Sequence, residues 1–272
     1  VQANIAGLTN TLRFKHAKPL VNLPAVDKPY GKEIRGCLTC PEGYTLCGAD
    51  MTSLEDTTKR HYMKPLDPEY VEEMSKEGFD PHLDLAKHAG IITQEDIDKH
   101  NSGERSLSSL RKNYKVVNYS ATYGVGASTL SRNTGMSSKD AKKLLEAFWS
   151  RNWSVQKVAT TLRKRELFGG MWVQNPVSGF WYSLRSEKDR FSTLNQGTGV
   201  YCFDNWVKKC REKGIKTVGQ FHDEIIALVK EGDQIETAMN MNYSIQELNE
   251  QLKLNVDLGV DAQFGKTYAE IH

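Results

Sequence analysis

Tyr44-Thr45-Leu46-Cys47-Gly48-Ala49-Asp50 is an apolar run that ends on a carboxylate. A second strand–acid–strand signal lies further on, where Lys216 to Phe221 meets His222-Asp223-Glu224 and continues as Ile225 to Val229. Short apolar runs bounded by turn residues predict strands. A carboxylate flanked by such residues must be protonated, be paired or meet a cation, because isolated burial of a charge is costly. Either aspartate taken alone also reads as a turn residue at a strand end. Brought together by one sheet, the two suit Mg²⁺. Hard divalent ions prefer oxygen ligands, and two of them about 4 Å apart can activate a hydroxyl and stabilise a pyrophosphate leaving group.

Outward from these strands, Glu33 to Thr39 reads as a partner strand for Tyr44 to Ala49 across the turn Pro41-Glu42-Gly43. Residues 51 to 63 have helical composition. From about 65 to 105 the chain is charged and polar, broken by Pro65, Pro68 and Pro81 into short, mostly solvated helices. Serines 106, 108 and 109 precede a helix from Leu110 to Tyr123, with Gly124 at its C-terminal cap. An amphipathic helix at 139–150 buries Ala141, Leu144, Leu145 and Phe148. Another helix is predicted at 153–167, and a hairpin around Asn175-Pro176 joins Met171 to Val173 with Phe180 to Leu184. Helices at 187–213 and 233–252 and a last strand at 255–260 complete the chain. This order is an α+β pattern, in which elements far apart in sequence share one sheet and the helical middle forms a separate lobe.

With 272 residues, 39% hydrophobic and 26% charged, and only 8 Pro, the composition predicts a soluble globular chain rather than a disordered or collagen-like one. The charge is +2, from 36 Lys+Arg against 34 Asp+Glu, so any basic surface must be local. No stretch approaches the ~20 apolar residues of a membrane span and no signal-peptide pattern opens the chain, which predicts a cytoplasmic location without a membrane partner. Cys37, Cys40, Cys47, Cys202 and Cys210 are an odd number of reduced thiols. Cys37, Cys40 and Cys47 could offer three zinc ligands, but nothing nearby closes a tetrahedral site. The plainer reading makes cysteines small apolar residues in paired strands.

Between the two aspartates lies Arg111-x-x-x-Lys115-x-x-x-Tyr119-x-x-x-Tyr123-Gly124. A four-residue interval keeps these side chains on one slowly drifting helical stripe. Adjacent cations are mildly destabilising unless an anionic ligand relieves them. Arg grips phosphate through its planar fork and Lys adds a point charge, while the two rings offer flat surfaces for a sugar or base.

Taken together, these motifs resemble the C-terminal part of a family A DNA polymerase of the bacteriophage type. Asp50-Met51-Thr52-Ser53-Leu54-Glu55 is similar to its motif A, Arg111 to Gly124 to motif B, and His222-Asp223-Glu224 to motif C. Thr11 to His16, Val21 to Pro24 and Pro29 to Gly31 resemble the primer- and template-contacting segment before motif A. Phe79 to His82 resembles the fingers histidine region, Gln196 to Thr198 the palm helix that reads the minor groove, and Phe264 to His272 the natural end of such enzymes.

The resemblance implies a right-hand polymerase palm, an antiparallel sheet with helices, at 1–64 and 187–272, and a mainly helical fingers insertion at 65–186. It implies template-directed transfer of dNMP from dNTP to a primer 3′ end, with two Mg²⁺ ions, or Mn²⁺ as substitute, held by Asp50, Asp223 and the Met51 carbonyl. Arg111, Lys115 and His82 contact the triphosphate, and Lys115 can protonate the leaving pyrophosphate. Tyr119 lies against the deoxyribose, Glu55 blocks a 2′ hydroxyl, and Tyr123 and Gly124 stand near the template. Arg13, Gln196 and His222 hold the primer end, with Glu224 as a supporting carboxylate. Three positions depart from the family pattern: Ser120 stands for Gly, Thr57 for Arg and Ser192 for Asn. Set against the family pattern, the chain is expected to lack a thumb and a 3′–5′ exonuclease. The resemblance therefore implies a split polymerase whose second chain carries them, with a processivity factor or helicase-primase as a further partner, in a host cytoplasm if viral. The alternatives are a single-subunit RNA polymerase and a non-catalytic nucleic-acid-binding subunit; Glu55 and the His-Asp-Glu motif favour DNA synthesis. The glycines at Gly124 and Gly126 follow a helix and open no Gly-Lys-Ser/Thr, which argues against Rossmann and P-loop readings there.

Overall fold

The computed structural model describes residues 4–17 and 23–271. Val21 and Asn22 of the segment before motif A, and the terminal His272, lie outside the described residues. In chain order the elements are β1 (Asn4–Leu8), β2 (Phe14–Ala17), α1 (Gly31–Gly36), β3 (Tyr44–Met51), α2 (Leu54–Met63), α3 (Pro68–Met74), α4 (Pro81–His88), α5 (Gln94–Asn101) and α6 (Ser108–Thr122). There follow α7 (Ala127–Thr134), α8 (Ser138–Arg151), α9 (Trp153–Thr161), β4 (Lys164–Leu167), β5 (Gly170–Gln174), β6 (Trp181–Leu184), α10 (Arg190–Glu212), β7 (Thr217–Phe221), β8 (Glu224–Lys230), α11 (Gln234–Leu252) and β9 (Val260–Gly265).

They form two compact units: Val1–Thr58 with Asn175–Tyr182 and Asn195–His272, and Lys59–Gln174 with Ser183–Leu194. Residues 175–182 belong to the first unit because Asn175 donates to Thr198 Oγ1 at 2.9 Å and the Tyr182 hydroxyl to the Gly197 carbonyl at 3.3 Å.

The first unit is built on an antiparallel sheet in the order β7-β8-β3-β9. Along β3 alternate side chains face opposite ways. Cys47, Ala49 and Met51 join Phe203, Trp206, Met241, Ile245 and Leu248 in the core beneath the sheet, leaving Gly48 and Asp50 on the other face. The strand expected at Glu33 to Thr39 is instead the helix α1, and only Thr39 makes an isolated bridge, to Thr267. Both edges of β3 are already taken by β8 and β9, so no ladder is left for a local hairpin partner. The last strand runs from Val260 to Gly265, not 255 to 260. The Asn249 side chain bonds both the N–H and the carbonyl of Leu258, holding the preceding segment as a loop.

In the second unit α4, α6, α7 and α8 surround a core that includes Leu83, Leu85, Tyr114, Val117, Ala121, Leu130, Leu144, Leu145 and Phe148. The expected α8 face is buried, and Ser137 caps the helix by accepting the Asp140 N–H. For α6 the serines do not form the cap: Leu107 occupies that position without a side-chain bond. α4 is not solvated as expected, because five of its residues, from His82 to Ala86, are buried. Asp84, 3% exposed, is paired with Arg151 at 3.0 Å, and Arg151 also reaches Glu73 at 2.6 Å and covers the Tyr70 ring. The helix expected to 167 stops at Thr161, and Lys164–Leu167 turns back as a strand against β5. The two-residue turn Phe168-Gly169, both residues at positive φ, supplies the reversal. No helix among the described residues is long and apolar enough to cross a membrane.

Candidate functional site

The residues singled out in the sequence fall into two groups, one in each unit. In the first unit the group is assembled by β3. Asp50 is the register partner of Glu224 on β8 and of Asp261 on β9, so three carboxylates sit side by side on one face of three adjacent strands. His222 and Asp223 form the two-residue turn between β7 and β8, with His222 in the left-handed region at φ 49°. The Asp223 carbonyl accepts the Met51 N–H at 3.0 Å, which fixes the turn against the end of β3. Asp50, Asp223, Glu224 and Asp261 line one cavity of about 460 Å³ together with Arg35, His222 and Tyr268. Gly48 forms part of its wall, and a Cβ there would stand 2.8 Å from the Ile271 carbonyl oxygen.

Electrostatics in this cavity are strained by like charges. Partial desolvation, then Asp223 and Asp261, push the Asp50 carboxyl up to about 6. Burial and Asp50 push Glu224 up to about 8, with Asp223 adding to them and Arg35 opposing. A folded value raised above the ordinary 4.5 means that between these limits the folded chain keeps a proton that the unfolded chain has released. Stability is therefore fully present below the ordinary value and falls as pH rises towards 8. Glu224→Gln is expected to raise the thermal midpoint of the metal-free protein at pH 8 and to flatten its decline from about pH 5 upward. A midpoint at pH 8 no higher than the parent's would show that Glu224 carries no such repulsion.

This donor set, hard carboxylate oxygens that repel one another, fits Mg²⁺ or Mn²⁺. Among the described residues no group of three or more His, Cys, Asp or Glu side chains is placed to hold an ion by itself. A Mg²⁺ site completed by substrate phosphates needs only one or two carboxylates. The cysteines supply no zinc cluster: all five are free, Cys47, Cys202 and Cys210 lie in the core, and Cys37 and Cys40 donate to the Glu33 and Tyr44 carbonyls. Burial pushes Cys47, Cys202 and Cys210 up to about 12, leaving unreactive thiols.

Beside the turn, the His16 ring stacks 5.6 Å from Phe221 and 5.9 Å from His222. Arg13 lies 3.6 Å from Glu55. Arg13 Nε and His16 Nδ1 are buried without a protein partner, an arrangement that a further acceptor could satisfy. Burial, with Arg13 adding to it, lowers both His16 and His222 below the ordinary imidazole value. Gln196 is half-buried on α10, next to Gly197, which packs against the Tyr182 ring.

In the second unit α6 carries the stripe. Tyr114, Val117 and Ala121 are buried in the core, so Lys115 and Tyr119 are exposed and Arg111 is half-exposed. Tyr119 is 52% and Tyr123 36% exposed, large rings offered to solvent. Gly124, at φ 71°, ends the helix. Lys115 Nζ stands 5.9 Å over the Tyr119 ring, and the His82 ring is 6.1 Å from it. His82 Nδ1 meets Asn118 Nδ2 at 3.1 Å, and burial lowers its basicity against the pull of Asp80. Arg111 forms an ion pair with Asp80, which also caps α4 by accepting the His82 and Leu83 N–H groups. Asp80, Asp261 and Arg35 were not singled out in the sequence. The alternation Val260-Asp261-Ala262-Gln263-Phe264 could have marked Asp261 as opposite in face to its apolar neighbours.

The fold corresponds to about half of a polymerase POL domain. The chain aligns over 97% of its length, at a TM-score of 0.74 and 22% identity, with the POL domain of Pol1 from M. smegmatis in complex with DNA primer-template and dNTP, of which it covers 47%. A profile of DNA polymerase family A matches residues 4–168, a span that includes Asp50 and the whole of α6. The chain belongs to DNA polymerase family A. Among its relatives, DNA polymerase I of Lactococcus lactis is 27% identical over 291 residues, covering 98% of this chain and 31% of that protein. The thermostable DNA polymerase I of Thermus filiformis is 25% identical over 277 residues, covering 96% and 31%. The chain thus spans about a third of the length of these relatives.

Proposed function

We propose that this chain carries out template-directed DNA synthesis, adding dNMP from dNTP to a primer 3′ end. One observation carries the reading: Asp50 and Asp223 line a single cavity on the face of the sheet opposite the core, in a chain of family A. Asp50, Asp223 and the Met51 carbonyl would hold divalent ions, with Glu224 as a supporting carboxyl group beside them. When bound, such ions acidify the attacking hydroxyl and offset charge developing on the phosphoryl group.

The chain's own residues divide the remaining work. Arg111 grips the triphosphate through a bidentate fork once it exchanges Asp80 for phosphate oxygens, and Lys115 adds a mobile point charge. Lys115 would also give a proton to the leaving pyrophosphate. His82, kept neutral by burial, offers an N–H rather than a full charge. Tyr119 packs on the deoxyribose, Tyr123 and Gly124 face the template, and Glu55 excludes a 2′ hydroxyl. Arg13, Gln196 and His222 hold the primer end through contacts that carry little sequence information. The unpartnered Arg13 Nε supports this role.

The test is primer extension with a purified chain, Mg²⁺ or Mn²⁺ and four dNTPs on a defined template. Products that follow the template sequence are expected; their absence under both metals would overturn the reading. Within the same assay the Tyr119 hydroxyl is expected to stand in for a missing 3′ hydroxyl, so that dideoxynucleotides are readily accepted. Tyr119→Phe is expected to lower that acceptance by about tenfold or more, the loss of one good hydrogen bond. Equal acceptance by parent and variant would remove the hydroxyl from this role.

A further inference from the structure

We infer that the β4–β5 hairpin, tipped by Phe168, is a contact surface for single-stranded DNA, separate from the residues assigned to nucleotide transfer. Every residue from Arg163 to Gly169 is exposed; Arg163 and Arg165 alternate with Lys164, which lies 3.7 Å from Glu187, and Arg163 also donates to Gln174 Oε1 at 3.2 Å. The register pairs Arg165 with Trp172 and Leu167 with Gly170 on one face, while Lys164 pairs with Val173 and Glu166 with Met171 on the other. Val173 is completely buried, so the face bearing Arg165, Leu167 and Trp172 is the one turned outward. Trp172 is held in place by its own Nε1–H, which donates to the Leu167 carbonyl at 3.2 Å. A guanidinium beside a fixed indole is the combination that binds single strands without reading sequence: cations follow the phosphates and flat rings take the bases.

The tip strengthens the case. Phe168 is 94% exposed and sits at φ 52°, a conformation that turn chemistry alone gives to Asn or Gly. A phenyl ring there is both strained and wetted, and among the described residues no ring or cation contact covers it. A base stacked on it would. The charge of the strand selects a nucleic-acid strand over an apolar protein face as the occupant.

The experiment measures binding of a fluorescein-labelled oligo-dT by anisotropy, at fixed salt and without dNTP or divalent metal. Phe168→Asn provides the residue that the turn favours, so its thermal midpoint should equal or exceed the parent's. Its affinity for the oligonucleotide should nevertheless fall roughly 5- to 150-fold, the range for losing one stacked base. Arg165→Gln should weaken binding and reduce the slope of log affinity against log salt by about 0.7, one phosphate contact on a single strand. Parental affinity in Phe168→Asn overturns the inference. So does a parent that self-associates in sedimentation equilibrium while Phe168→Asn stays monomeric, which would make the tip a protein contact.

Discussion

Primer extension by Asp223→Ala is expected to fall by about a thousandfold or more, equivalent to roughly 4 kcal/mol of transition-state stabilisation. The fold should survive the change. Asp223 occupies a turn, and the bond that fixes this turn to β3 is made by its main-chain carbonyl, which alanine keeps. Removing the carboxylate also lessens the repulsion felt by Asp50 and Glu224. The metal-free variant should therefore be at least as stable as the parent at neutral pH, by thermal melting, while inactive. Activity within tenfold of the parent in a well-folded Asp223→Ala protein would take this residue out of the catalytic centre.

Trp206→Ala is expected to show the opposite pattern, a loss of fold rather than of chemistry. Trp206 is completely buried under the sheet, 5.9 Å from the Phe203 ring, and its Nε1–H donates to the Met241 carbonyl at 3.2 Å. Truncation opens a cavity and removes the indole's bond to that carbonyl. A cost of about 3–5 kcal/mol follows for a large aromatic in a packed core. Urea denaturation followed by circular dichroism measures it, and a loss below about 1 kcal/mol would mean that α10 and α11 close over the gap.

Much of the architecture was legible because it is written in local periodicity. The apolar runs Tyr44 to Ala49 and Ile225 to Val229 are strands, and the i, i+3, i+4 spacing of Ala141, Leu144, Leu145 and Phe148 is the buried face of α8, as expected. The errors arose where a long-range neighbour decided the outcome. Glu33 to Thr39 was assigned to β3 as its nearest candidate partner, yet β9, from the far end of the chain, holds that edge. Lys164 to Leu167 has a composition that a helix would accept, and the turn at Phe168-Gly169 drew it into a ladder instead. α4 looked solvated because it lies in the charged, polar stretch from 65 to 105; its one carboxylate, Asp84, is buried because Arg151, at the end of α8, comes back to meet it.

The same division holds at the site. By itself the sequence marked the residues proposed to carry chemistry, two strand-end aspartates and a helix face with Arg111, Lys115 and Tyr119, since side-chain type and local spacing are intrinsic to the chain. Only the tertiary structure decided the company those residues keep. It set Glu224 and Asp261 on either side of Asp50, and Asp80 against Arg111. The physical reason is that charge interactions depend on distance in space and on desolvation, and both are fixed by strand register and helix packing rather than by neighbours along the chain.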